Sequence, residues 1–305
     1  MNFELSEDQN SVLTALDSIM SKFDASGAEP HPYVYSRELD QALRESGFFS
    51  IAGEEGFSPL DGAMVIERVS RAPQVVESAA SILIAPFLPF DPGAAPIAMD
   101  ASSGREPIRF LPIARFLVTL HNDHVSVAAV DPAKVAYAES LLAYPYGRRG
   151  SSGIDEVATF GDVDLVRRRW QTGIAAEAAG CMAAALELVL DHVKTRFAFG
   201  RPLGSFQAIQ HRLAMAAETA EAVKWLAYKA AWSDSSADAA LAAGFAQSRT
   251  AQFTYDLHQF CGAMGLTLEF PLHLWTYRLR ALAGELGGAS AQARRAATAI
   301  WGEAA

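Results

Sequence analysis

Hydrophobic positions at helical spacing dominate the first hundred residues. Ser6 and Gln9 match a capping box, and the run that follows places its apolar residues on one helical face. Further helices are predicted over residues 36–45, from near Leu60, and over residues 78–85, where a series of prolines begins. Residues 1–105 are therefore predicted to form an N-terminal helical domain.

The pattern changes over residues 106–166. Residues 108–112 and 115–120 are β-like apolar runs, and an Asn-Asp turn separates the second run from residues 125–127. These features predict a reduced middle β-domain of short antiparallel strands. Residues 147–153, with Gly, Ser and two arginines, predict an exposed loop.

Residues 167–305 return to a helical pattern rich in alanine. Long helices are predicted over residues 169–196, 205–234 and 239–260, followed by a glycine-rich turn and a last helical pair from Phe270 onward. Long helices joined by short turns are typical of an antiparallel bundle, here a C-terminal four-helix bundle. The predicted fold class is mainly α with a small β-domain.

Composition narrows the possible functions. The 305-residue chain has a formal net charge of -10, so nucleic acid is not an expected partner. Its two cysteines, Cys181 and Cys261, are too few for a disulfide scaffold or a four-cysteine zinc site and are expected to be buried thiols. His121 and His124 lack a third ligand, so no metal site is expected. Without an uninterrupted apolar run of membrane length or a basic leader, a cytoplasmic location away from membranes is expected.

Residues 196–207 are the most informative stretch. Arg196 ends one predicted helix, a Gly-Arg-Pro break follows, and Phe206-Gln207 opens the next helix. The guanidinium could hold an anion, and free amides after an N-cap at Ser205 would suit a phosphate. The alternative is an ordinary helix hairpin with an arginine at a helix C-terminus. Spacing alone leaves both interpretations open.

This stretch also resembles a known family. The pattern Arg-x-x-Phe-Gly-x-x-x-x-x-Phe-Gln at residues 196–207 is similar to the signature of acyl-CoA dehydrogenases. Residues 259–271 resemble the family's Gln-x-x-Gly-Gly-x-Gly-x-x-x-Glu-x-Pro segment, with Ala263 in place of the second glycine. A weaker match covers residues 47–70. The resemblance extends over the whole chain at low similarity and implies N-terminal helices, a middle β-domain and a C-terminal four-helix bundle.

In that family FAD lies between two protomers, with the flavin ring on the β-domain of one and the pyrophosphate and adenosine on the other. The resemblance implies that Arg196 pairs with the pyrophosphate and that Gln207 reaches the adenosine. The small residues of the second segment would allow close approach of the dinucleotide. The implied FAD-binding residues are Arg196, Ala198, Phe199, Gln207, Gln259, Gly262 and Ala263.

Two departures from the family pattern affect its chemistry. The Thr-Glu-x-x-x-Gly-Ser-Asp type segment that holds the flavin ring is missing between residues 105 and 164, so this chain is not expected to hold the ring by itself. The family's spacing from Glu269 to its catalytic base reaches Leu286, and the alternative base position holds Trp170. Glu285, one residue away, is the candidate base. A shift of one residue rotates a side chain by about 100° around a helix, so a helix-face glutamate is the alternative interpretation.

The combination resembles the smaller subunits of heteromeric acyl-CoA dehydrogenases of bacterial sterol and bile-acid breakdown. The leading hypothesis is a non-catalytic subunit of an α2β2 oxidoreductase acting on a CH–CH bond. It would share FAD at the interface with a homologous subunit that carries the catalytic Glu, and the acyl-CoA substrate would include bulky steroid-derived thioesters. The alternatives are a self-sufficient FAD-dependent acyl-CoA dehydrogenase using Glu285, and a flavin-free structural protein on the same fold.

Overall fold

Helices occupy both ends of the chain and strands occupy its middle. The computed structural model describes residues 4–24, 31–93, 95–102, 106–150 and 153–302. The N-terminal helices are α1 (Glu7–Asp24), α2 (Arg37–Glu45), α3 (Pro59–Ser70) and α4 (Ala79–Leu83). The C-terminal helices are α5 (Val163–Thr195), α6 (Gln207–Ser233), α7 (Ser236–Cys261), α8 (His273–Leu282) and α9 (Gly288–Trp301). The prediction of a mainly α chain with a small β segment is confirmed.

The capping pattern before α1 behaves as its sequence predicts. The amide of Gln9 donates to Ser6 Oγ at 3.1 Å, and the amide of Ser6 donates to Gln9 Oε1 at 3.0 Å. This reciprocal pair satisfies two amides that a helix start leaves without partners. The buried face of α1, including Leu13 and Leu16, then packs into one core with α2 and α3.

The N-terminal helices pack directly on the bundle. Gly180 of α5 lies against α3 so closely that a β-carbon there would overlap the carbonyl oxygen of Glu67. Only glycine permits this approach of two helix backbones. The contact ties α3 to the central helix of the bundle.

Two small sheets form the middle of the chain. The nine short strands among the described residues are β1 (Ile97–Asp100), β2 (Ile108–Arg109), β3 (Phe116–Leu120), β4 (Val125–Val130), β5 (Ala136–Ala138), β6 (Tyr146–Arg148), β7 (Ile154–Phe160), β8 (Phe197–Ala198) and β9 (Arg201–Pro202). The larger sheet has the order β1-β3-β4-β7, the smaller has the order β2-β6-β5, and β8 pairs with β9 in a separate hairpin.

The structure corrects the predicted strands in two respects. β1 begins at Ile97, before the residue where the β-like pattern was expected to start, and it pairs with β3 in parallel rather than antiparallel. The strand β1 has only four residues, and a run this short after Pro96 shows too little periodicity to be recognised as a strand from the sequence. Of the predicted exposed loop, residues 151 and 152 lie outside the described residues, while Tyr146–Arg148 form the strand β6.

Two bundle helices, α5 and α6, begin at residues other than the predicted ones, and in both cases the start depends on which residue occupies the N-cap position. α5 starts at Val163, earlier than predicted, because the side chain of Asp162 accepts a hydrogen bond of 3.0 Å from the amide of Leu165. The prediction that Ser205 caps α6 is wrong: Phe206 occupies that position, and Ser205 Oγ donates to the carbonyl of Pro202 at 2.7 Å. Both cysteines are buried and free, as expected.

The helix α5 is the central element of the bundle. By length and composition it could cross a membrane, but 72% of its most apolar window is buried inside the protein. It packs against α6, α7 and α8 as well as α3. Its apolar character is therefore that of a core helix.

Candidate functional site

A cleft of about 820 Å³ separates the sheets from the bundle, and it ends at a cluster of polar side chains. Arg109 reaches this cluster from β2 and Trp170 from the second turn of α5. Glu177 follows two turns later on α5, and Glu285 comes from a 310 turn between α8 and α9. Three separate parts of the chain thus converge on one buried position.

The carboxylate of Glu285 has both oxygens engaged. Arg109 Nε lies 2.7 Å from Glu285 Oε1, and the indole Nε1–H of Trp170 donates to Glu285 Oε2 at 2.7 Å. Arg109 Nη1 donates to Glu177 Oε2, also at 2.7 Å. One guanidinium therefore bridges two buried carboxylates, and the indole fixes the orientation of one of them.

Burial and the neighbouring charges shift the pKa values of Glu177 and Arg109 in this cluster. Burial raises the pKa of Glu177 to about 7, because the favourable effect of Arg109 does not offset desolvation and the nearby negative charge of Glu285. Burial also acts against the charge of Arg109, but the two carboxylates outweigh it and hold the pKa of the guanidinium well above its usual value. The carboxyl of Glu177 is therefore expected to exchange a proton near neutral pH.

An unusual backbone presents Glu285 to the cluster. Leu286, Gly287 and Gly288 have φ values of 53°, 84° and 67°, and a left-handed leucine costs about 1–2 kcal/mol. Arg295 Nη1 donates to the carbonyl of Leu286 at 2.8 Å, and Gln247 Nε2 donates to that of Glu285 at 2.9 Å. These contacts hold the turn in place.

The structure revises the view of Glu285 as a helix-face residue. Its side chain is only 13% exposed and lies in a short 310 turn rather than on a helix face. Leu286 is buried. Trp170, at the alternative base position implied by the family resemblance, contacts the same carboxylate. Trp170, at one position that the resemblance singles out, therefore contacts Glu285, the residue beside the other position.

Arg109 and Glu177 were missed by sequence reasoning. Each is a lone charged residue in an otherwise apolar stretch, one in a β-like run and the other in the alanine-rich helix α5. A charge at a buried position requires a partner, and this is the only signal that could have pointed to them. Their pairing across 68 residues leaves no local pattern.

A second group of predicted site residues lies at the opposite end of α5. The strands β8 and β9 form a hairpin whose turn residues, Phe199 and Gly200, have φ values of 52° and 79°. Phe199 is 91% exposed. Arg196 is also exposed, and among the described residues its guanidinium has no hydrogen-bond or ion-pair partner. Ala198 is half-buried at the base of the hairpin.

The remaining predicted FAD-binding residues lie at this same end of the bundle. The end of α5, the start of α6 and the end of α7 come together there, and the ring of His192 packs 5.2 Å from that of Phe270. The exposed members of the group are Gln207, Gln259, Gly262 and Ala263. An open cleft of about 490 Å³ borders them and includes Gln259 and Gly262 in its wall.

These residues fit the pyrophosphate and adenosine half of FAD. Arg196, Gln207 and Gln259 offer side-chain donors that no other described residue uses. At Gly262, which ends α7 with a φ of 59°, nothing lies within 4 Å of where a β-carbon would be. A dinucleotide can approach the backbone closely at such a position. At the other end of α5, by contrast, the polar side chains of Arg109, Trp170 and Glu285 in the cleft of about 820 Å³ already form hydrogen bonds with one another.

His121 and His124 lie together in the turn between β3 and β4. His121 and His124 stack with ring centroids 4.2 Å apart, and their nitrogens contact Ser126 and Asp123. In the part of the chain that the structure describes, no three His, Cys, Asp or Glu side chains are grouped as metal ligands would be.

Comparisons with known proteins agree with this fold. The family described as acyl-CoA dehydrogenase, C-terminal domain, matches residues 168–300. The acyl-CoA dehydrogenase IpdE2 of Mycolicibacterium smegmatis is 34% identical over 122 residues, which are 40% of this chain and 39% of that protein. The chain thus aligns with about two fifths of the length of this curated relative.

Solved structures match over nearly the whole chain. The ChsE4-ChsE5 complex from Mycobacterium tuberculosis has a TM-score of 0.75 at 19% identity, covering 97% of this chain and 97% of that one. A variant of the steroid acyl-CoA dehydrogenase Tcur3481-Tcur3483 has a TM-score of 0.76 at 20% identity, with coverage of 96% and 98%. Residues 168–300 therefore match the C-terminal domain of acyl-CoA dehydrogenases, and the chain as a whole shares the fold of these two solved structures.

Proposed function

We propose that this chain is a subunit of an FAD-dependent acyl-CoA dehydrogenase that completes the FAD site of a homologous partner. It would bind the pyrophosphate and adenosine, while the partner would supply the flavin-ring site and the base for α,β-dehydrogenation of an acyl-CoA thioester. The observation that carries this proposal is the pairing of both Glu285 oxygens with Arg109 and Trp170.

A general base needs a carboxylate oxygen within hydrogen-bond reach of the proton that it removes, and hydrogen bonds donated to the ionised carboxylate make it a weaker base. Both oxygens of Glu285 already accept short hydrogen bonds from side chains of the same chain. Freeing one would leave the buried guanidinium of Arg109 with one carboxylate instead of two, and breaking a buried pair costs about 3–5 kcal/mol. The cluster therefore opposes a role of Glu285 as base.

The FAD half-site would consist of the hairpin and the end of α7. Arg196 would hold the pyrophosphate, with Ala198 and Phe199 beside it and Gln207 toward the adenosine. Gln259, Gly262 and Ala263 would pack against the dinucleotide from the other side. When bound, FAD supplies the hydride acceptor of the reaction. Apart from the half-buried Ala198, these residues are exposed, as a site completed by a second chain requires.

The relatives support a heteromer and a bulky substrate. One matching structure is a complex of two named components, and another is a steroid acyl-CoA dehydrogenase with a two-part name. The cleft of about 820 Å³ lies within the size range of sites for drug-sized ligands. The proposal includes an α2β2 assembly, a steroid-derived acyl-CoA, a cytoplasmic location and functional segments at residues 1–105, 106–166 and 167–305.

Flavin content tests the proposal. The chain purified alone is expected to be flavin-free in its visible absorption spectrum. Co-expressed with a homologous acyl-CoA dehydrogenase subunit, it is expected to yield a complex with bound FAD. Arg196→Ala should lower the flavin content of that complex, while Arg249→Ala, an exposed arginine of α7, should not. About one flavin per chain in the isolated protein, together with acyl-CoA oxidation, would overturn the proposal.

A self-sufficient enzyme is the second candidate, because the large cleft opens onto Glu285. In that case Glu285→Gln would abolish turnover and leave flavin bound, whereas unchanged activity would eliminate this role. A flavin-free structural protein, the third alternative, requires that Arg196→Ala change neither the flavin content nor the activity of any complex. The same set of variants therefore separates the three functions.

A further inference from the structure

Four arginines line one cleft between the start of α5 and α9. Arg167 and Arg168 come from α5, and Arg294 and Arg295 come from α9. The cleft has a volume of about 460 Å³, and its other wall includes Ser236 at the start of α7. Four guanidinium groups around one concavity are unexpected in a chain whose net charge is -10.

These arginines are only partly neutralised. Arg167 Nη1 lies 2.9 Å from the exposed carboxylate of Asp164, and Arg168 Nε lies 3.0 Å from Asp234. Neither Arg294 nor Arg295 forms an ion pair with any carboxylate among the described residues. The cleft therefore keeps an excess of positive charge.

The arginines also repel one another. Burial lowers the pKa of Arg295, and the positive charges of Arg167 and Arg294 lower it further. An anion placed in the cleft would relieve this repulsion. The positive end of α7, which starts at Ser236, adds to the same field.

We propose that this arginine cleft, lined by Arg167, Arg168, Arg294 and Arg295, binds the diphosphate group of a small-molecule ligand. Planar guanidinium groups match phosphate oxygens in pairs, and a concave site of this size suits a small molecule better than an acidic peptide. Neither Arg196 nor Glu285 lines the cleft. The inference therefore goes beyond the proposed function and does not depend on it.

Calorimetric titration of the full chain with inorganic pyrophosphate tests this site at low ionic strength. Binding is expected, and it should weaken as salt is added. Arg294→Gln should raise the dissociation constant about five- to tenfold, because a charge-assisted contact is lost without removing any internal ion pair. The matched control, Arg249→Gln, removes an exposed arginine of α7 outside this cleft and should leave binding unchanged.

Titrations with CoA and with FAD identify the source of the diphosphate. If Arg294→Gln weakens the binding of CoA or of FAD, that ligand is the one that reaches the cleft. If Arg294→Gln weakens pyrophosphate binding but changes the binding of neither CoA nor FAD, the cleft is still a diphosphate site, and its ligand is a different molecule. The proposal is overturned if pyrophosphate does not bind, if Arg294→Gln and Arg249→Gln bind it equally well, or if an oligoglutamate peptide binds and pyrophosphate does not. None of these results depends on the flavin content of the complex.

Discussion

The indole of Trp170 donates a 2.7 Å hydrogen bond to the carboxylate of Glu285, which lies 115 residues away in the chain. Arg109 pairs with the other oxygen of the same carboxylate at 2.7 Å. The two residues at or beside the expected positions of a catalytic base therefore bind each other. The cluster gives the chain a buried polar core at the place where a self-sufficient enzyme would need an accessible base.

Removing the guanidinium at the centre of this cluster should destabilise the protein strongly. Arg109→Leu leaves Glu177 and Glu285 buried without their common partner, at a cost of about 3–5 kcal/mol in the free energy of unfolding. Urea titration followed by circular dichroism measures this loss. Arg249→Leu, at an exposed site, should change stability by about 0.5 kcal/mol or less. A loss below about 1 kcal/mol for Arg109→Leu would show that the cluster contributes little.

The hydrogen bond from the indole can be tested separately from the packing of the ring. Trp170→Phe keeps most of the buried aromatic surface but removes the donor to Glu285 Oε2. We expect a loss of about 1–3 kcal/mol in the free energy of unfolding, because a buried charged acceptor loses a partner. Trp301→Phe, at a position that is 79% exposed, is the matched control. Equal effects of the two variants would contradict the role assigned to the indole.

The protonation of Glu177 should make stability depend on pH. Its folded-state pKa of about 7 lies above the value of 4.5 for a free glutamate, so the folded protein binds more protons than the unfolded chain between these values. The free energy of unfolding contributed by this group is therefore complete at low pH and is lost as the pH rises through 7.

Glu177→Gln removes this contribution while keeping a carbonyl that can accept from Arg109. Relative to the variant, the unsubstituted protein should lose roughly 2–3 kcal/mol of stability between pH 5 and pH 8. Urea titrations of both proteins at the two pH values measure the difference. Parallel pH profiles for the two proteins would mean that Glu177 is ionised throughout this range.

The close contact of α3 with α5 predicts an intolerant position. A methyl group at Gly180 would overlap the carbonyl oxygen of Glu67, which belongs to a helix backbone and cannot move alone. Although alanine favours helix more than glycine does, we expect Gly180→Ala to reduce stability by about 1–3 kcal/mol. Gly161→Ala is the control, because nothing lies within 4 Å of its β-carbon position. A thermal melt of the two variants would detect the difference, and equal midpoints would contradict the close approach.

Local patterns in the sequence predicted local structure well. The pairing of Ser6 with Gln9 and the helical periodicity of α1 follow from residues that are neighbours in the chain. The parallel pairing of β1 with β3 and the pairing of Arg109 with Glu177 depend on distant residues and leave no periodic signal. Glu285 was identified as a candidate from spacing, but its partners were not. Only the tertiary fold shows that its carboxylate is engaged.

The length of α5 has a consequence for any assembly that this chain forms. Trp170 and Arg196 are separated by about 26 residues at a rise of ~1.5 Å each, which places them roughly 40 Å apart along one continuous helix. One bound molecule shorter than that distance cannot contact both ends of α5 in the same chain, so substitutions at Trp170 and at Arg196 should act independently of each other.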